Sequence, residues 1–193
     1  MLSHLPDRPA APLEVSLRAV EIADVPTLFS YECDPAWCAT AKVKPRPWDV
    51  FEAVWTKIIR ERANAANSPR VAIAGPSPAD EAIPAAPALV QRAILVDGTL
   101  CGSIGLHLHD GRPALGYGLG PAFWGRGIAS RAVSLLLAEG GPMAQRPLHA
   151  QCAASNLASI RILLKHGFAV VERRTAPETD RTLAREEVRF ILA

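Results

Sequence analysis

The segment GYGLGPAFWGRGIASRA, residues 116 to 132, has the residue types and spacing of a phosphate cradle. Gly125 and Gly127 let the main chain approach a ligand with no Cβ in the way. A helical apolar pattern starting at Ile128 turns the unpaired N–H groups of its first turn toward the same place. Arg126 sets a cation beside them, which favours a pyrophosphate over a lone carboxylate. The rival is a dinucleotide fingerprint, because GRGIAS approaches G-x-G-x-x-G. Such a site needs an acidic residue about 20 residues further on, at the end of the next strand, and PLHAQCA supplies none. A Walker loop is excluded for want of Gly-Lys-Ser.

These residues need a scaffold, and the hydrophobic periodicity describes one. A strand over Glu14 to Val20 precedes a helix capped by Asp24 that runs through Phe29 or Tyr31. A second helical pattern spans Trp48 to Arg62, with Phe51, Val54, Trp55, Ile58 and Ile59 on one face. Three strands follow, VQRAILV, TLCGSIGLHLH and PALGYGLG, joined by Asp97-Gly98 and Asp110-Gly111, dipeptides suited to tight hairpin turns. Next come a helix from Ile128 to about Glu139, the strand PLHAQCA, a helix from Asn156 to His166, and strands near 168–174 and 186–192. This order, β-αα-βββ-α-β-α-ββ, implies an α+β fold, or α/β sandwich. Its central sheet is mixed and mostly antiparallel, with six to seven strands and helices on both faces.

Length and composition set the bounds. A chain of 193 residues with 49% hydrophobic content supports one domain, expected over residues 13–193. The proline-rich residues 1–12 read as a loose arm, and a Pro/Ala-rich insertion occupies 64–88, read either as a mobile segment or as one that carries a short strand at Val71 to Ala74. A net charge of +2, with dispersed basic residues, is too small to imply a nucleic-acid footprint, and no nucleic-acid partner is expected. Cys33, Cys38, Cys101 and Cys152 have the spacing of neither a zinc site nor a disulfide scaffold, so they read as reduced thiols in a cytoplasmic protein. No signal peptide or bilayer-spanning stretch is expected, and no membrane partner.

Two segments together carry a resemblance. Trp124-Gly125-Arg126-Gly127-Ile128-Ala129, and Asn156 with Ser159, Ile160, Lys165, Gly167 and Phe168, resemble the Gnat superfamily of N-acetyltransferases, the ribosomal-protein N-terminal acetyltransferase-like branch most of all. The resemblance spans Val15 to the C-terminus and is strongest between Gly102 and Phe168. It implies a Gnat-like acyl-CoA N-acyltransferase fold in which strand residues Gly118 to Gly120 splay from Leu148 to Cys152 to admit pantetheine. It also implies acetyl-CoA as co-substrate, no metal, and direct attack of a primary amine on the thioester. Leu119, Gly120, Trp124, Gly125, Arg126, Gly127, Ile128, Ala129, Ser130, Asn156 and Ser159 would hold the donor. The Leu119 N–H would serve as oxyanion donor. The acceptor is a small molecule or a protein N-terminus, and the protein a monomer or homodimer.

Several residues keep two readings. Asn156 either lies along the pantetheine arm, caps the helix, or does both, on an inward face shared with Ser159, Ile160 and Leu163, while Arg161 and Lys165 project elsewhere. Tyr117 either stands where acceptor meets thioester or packs in the sheet. His107 and His109 share one strand face without a recognisable third metal ligand, and either could take a proton from the amine. Glu32, Asp34 and Trp37 form part of an acceptor wall or a plain Asp-Pro turn; a second wall is expected at 174–186. Arg131 stands where relatives often have an acidic residue, and Leu163 where many superfamily members place the Tyr that protonates the departing thiolate. The acid must then come from Ser159, Tyr117 or water; the alternative is a catalytically silent acyl-CoA-binding or regulatory domain.

Overall fold

The computed structural model describes residues 13–67, 90–140 and 146–193; the expected arm and the strand at 71–74 lie outside them. Its strands are β1 (Val15–Ala19), β2 (Gln91–Val96), β3 (Thr99–His109), β4 (Arg112–Leu119), β5 (Leu148–Ala153), β6 (Ala169–Ala176) and β7 (Arg185–Leu192). Its helices are α1 (Val25–Glu32), α2 (Pro35–Ala41), α3 (Trp48–Asn67), α4 (Ile128–Ala138) and α5 (Leu157–Lys165). The strands form one sheet in the order β1-β2-β3-β4-β5-β7-β6, antiparallel at every step except β4 to β5. Both Asp-Gly turns form as expected, with positive φ at Asp97, Gly98, Asp110 and Gly111.

The strand period of two sorts side chains onto opposite faces. On one, Ile94, Ile104, Leu106, Leu115 and Leu119 pack with Ile128, Ala132, Val133 and Leu136 of α4 and with Leu163 of α5. On the other, Ala93 joins Val20, Val25, Leu28, Phe51 and Trp55 from the N-terminal region. Full burial of one such side chain is worth about 1.5–3 kcal/mol. Helices therefore cover both faces, α4 and α5 on one and α1 and α3 on the other.

Three local expectations need correction. Asp24 does not cap α1 through its side chain; its carboxylate accepts from the Glu21 N–H at 2.8 Å and pairs with Arg18 at 2.6 Å, tightening the 3-10 turn before the helix. The Asp34-Pro35 segment is not a plain turn but the start of α2. Asp34 accepts from the N–H groups of Ala36 and Trp37, and Pro35 occupies the first helical position, where its missing N–H costs nothing. Helix α3 continues past Arg62 to Asn67, and Val54 lies exposed on it while Phe51 and Trp55 are buried.

Candidate active site

The pairing of β4 with β5 is confined to Ala114 with His149 and Leu115 with Ala150, so the two strands diverge over Tyr117–Leu119. On its other side β4 stays in register with β3, and the Gly120 N–H donates to the Cys101 carbonyl at 2.9 Å. Antiparallel alternation therefore turns the N–H and C=O of Leu119 away from β3, toward the gap left by β5. The Leu119 carbonyl accepts from Trp124 Nε1 at 2.9 Å, which ties the gap to the loop beyond it.

That loop ends in α4. Gly125 (φ 71°) and Gly127 (φ 75°) adopt left-handed backbone, and Gly127 is the N-cap residue. The first intrahelical bond there runs from the Arg131 N–H to the Gly127 carbonyl, leaving the N–H groups of Ile128, Ala129 and Ser130 directed out of the helix end. Loop and gap form one groove of about 340 Å³, which includes Tyr117, Leu119, Trp124 to Ser130, Asn156 and Ser159. The sequence-derived donor residues thus come together, except that Gly120 does not line the groove. Arg161 lines it too, contrary to the expectation that it projects elsewhere, as do Trp37 and Thr40 of α2. Nothing in the sequence pattern brings α2 there.

Asn156 does cap α5, its Oδ1 accepting from the Ser159 N–H at 3.0 Å. Ser159 Oγ in turn lies 2.8 Å from the Tyr117 hydroxyl. Burial, opposed by that hydrogen bond, pushes the Tyr117 phenol up to about 12, so it is neutral and carries its proton at pH 7. Leu163 is buried in the core, one turn further along α5. The Ser130 hydroxyl is engaged by His166 Nε2 at 3.1 Å, which joins the first turn of α4 to the end of α5.

A second cavity, about 520 Å³, opens on the opposite face of the sheet. Its floor is nearly free of side chains, because Ser103, Gly116 and Gly118 face it. A Cβ on Gly118 would sit 3.1 Å from the Trp37 indole, so the ring packs directly on the main chain. Trp37 and Gly118 also line the first groove, so the two cavities share these residues as a common wall.

Both expected acceptor walls border the second cavity. The segment before α3 is stitched to the β6–β7 loop by the Lys44 N–H to the Arg181 carbonyl at 2.9 Å and the Leu183 N–H to the Lys42 carbonyl at 3.0 Å. Glu32 binds Arg46 at 2.6 Å and Arg181 at 2.9 Å. Burial alone would raise the Glu32 carboxyl, but the two guanidinium groups hold it below the usual carboxylate range, which makes it a poor proton acceptor. Asp34 is spent as the α2 cap. His107 lines the cavity, while His109 lies outside it beside Gln151 and Asp110. Burial and then His109 depress the His107 imidazole, leaving it neutral at pH 7.

Residues 14–169 match the model of the acetyltransferase (GNAT) domain. The chain belongs to this family and is an N-acetyltransferase. No curated protein matches the chain by sequence. Among solved structures it is similar to Mycobacterium smegmatis RimJ in complex with CoA-disulfide (18% identity, 94% of this chain and 85% of that one, TM-score 0.63). It also resembles RimL, the ribosomal L7/L12 alpha-N-protein acetyltransferase in complex with coenzyme A (16%, 95% and 97%, TM-score 0.63). Spermidine N-acetyltransferase from Vibrio cholerae in complex with CoA and spermine is a third (14%, 92% and 94%, TM-score 0.64).

Proposed function

We propose that acetyl-CoA occupies the groove between β4 and β5 and that a primary amine enters through the cavity on the opposite face, the two meeting at Gly118 beside Trp37. The shared wall of the two cavities is the observation that supports this arrangement. The N–H groups of Ile128, Ala129 and Ser130, with Arg126, hold the pyrophosphate; Trp124, Gly125, Gly127 and Asn156 complete the donor site. Acetyl-CoA supplies the activated acyl group, and the Leu119 N–H hydrogen-bonds its carbonyl oxygen as charge develops there.

Proton handling falls to two neutral groups on opposite sides of β4. On the acceptor side His107 takes a proton from the amine, directly or through water. On the donor side Tyr117, backed by Ser159, returns one to the departing thiolate. Placement of amine and thioester supplies a large share of the rate enhancement, on the order of 7 kcal/mol in favourable cases. The free thiols fit a cytoplasmic setting, and residues 13–193 act as one domain. Thiol release on mixing the protein with acetyl-CoA and an amine panel tests the proposal. Tight CoA binding without release for any amine would leave only a binding domain.

A further inference from the structure

The acceptor cavity carries more positive charge than its own residues neutralise. Arg46 and Arg181 both line it, and both pair with the single carboxylate of Glu32. Arg46 directs Nε and one terminal nitrogen to Glu32 and lays its guanidinium over the Phe51 ring, 4.8 Å from the centroid. Arg181 gives one terminal nitrogen to Glu32 and the other to the Lys44 carbonyl. Each guanidinium has five N–H donors, so the cluster retains donors as well as one surplus charge. His107, the remaining titratable base on this wall, is neutral and does not offset it.

Trp55 also lines this cavity, at 7% exposure. Leu28, Tyr31 and Phe51 make the remaining wall largely apolar.

We propose that the acceptor is a small amine that also carries a carboxylate, an amino acid or short peptide, whose carboxylate sits against Arg46 and Arg181 while its amine lies at Gly118. This rests on the acetyltransferase reading of the two cavities. The surplus cation supplies the missing counter-charge for a carboxylate and repels a polyamine. A volume of about 520 Å³ holds a molecule of this size with the carboxylate and amine at separate ends.

The test separates binding from turnover. L-Amino acids and glycyl dipeptides, each paired with its own carboxamide, are titrated calorimetrically into the CoA-saturated protein, with spermidine as the cationic probe. The acids bind about tenfold or more tightly than the amides, as expected of a charge-assisted contact. Arg181→Gln and Arg46→Gln each shrink that ratio. Amides or spermidine binding as tightly as the acids, or no acid binding at millimolar concentration, would overturn the assignment. Thiol release on the same pairs reports the acetyltransferase reading separately, since acids that bind preferentially without release would refute turnover and leave the carboxylate site standing.

Discussion

The hydroxyl of Tyr117 lies 2.8 Å from that of Ser159, which places a protonated phenol from a strand against the helix that carries Leu163. In the proposed reaction, the proton donor that the sequence lacks on α5 comes from β4. Tyr117→Phe should lower kcat by about 10- to 100-fold, the usual worth of one positioned acid, while leaving CoA affinity within about twofold. Steady-state thiol release and calorimetric CoA titration check the two halves of that statement. Equal kcat in the variant would return the role to water.

His107 should govern the acidic limb of the pH profile. Its depressed imidazole is neutral above its own pKa, so kcat/KM expressed per unprotonated amine rises through a pH below the ordinary histidine value of about 6.5 and then levels until other groups titrate. His107→Gln should remove that limb and lower the plateau. A limb unchanged in the variant would assign it elsewhere.

Glu32 makes a separate, structural prediction. Its folded pKa is lowered, so its contribution to stability is complete above the unfolded carboxylate value and is lost as pH falls through the folded one. Glu32→Gln leaves two guanidinium groups facing each other in a partly buried site, at a cost of about 3–5 kcal/mol near pH 7. Thermal melts of the two proteins should differ most at neutral pH and converge in acid.

Gly127 tests the phosphate cradle. A Cβ there meets nothing within 4 Å, so the penalty for substitution comes from its φ of 75° and not from crowding. Gly127→Val should weaken CoA binding by about tenfold or more, whereas Gly127→Asn, which tolerates left-handed backbone, should lose less. Calorimetry on both variants gives the comparison.

The legible parts of this protein were local. Asp-Gly turns, alternating strands and the glycine-flanked helix start each write their geometry into a few adjacent residues, and the sheet and donor groove followed from them. Helix α2 was missed because seven residues hold too little periodicity to outweigh an Asp-Pro turn signal. Arg161 was misplaced because a helical wheel fixes which residues share a face and says nothing about what wraps round to meet the other. The Glu32, Arg46 and Arg181 cluster joins separate segments, and the cavity it borders also draws on α1, α2, α3, β3 and β4. No sequence window contains either.

The lone parallel step in the sheet gives the molecule a seam. On one side β1 to β4 form a continuous antiparallel meander; on the other, β5, β7 and β6 form a second ladder, and two residue pairs join them. A guest in the groove touches Tyr117 and Leu119 of the first ladder and Asn156 and Ser159, which follow the first strand of the second. Acetyl-CoA would then be a strut as well as a reagent, bracing two halves that the main chain itself barely sews together.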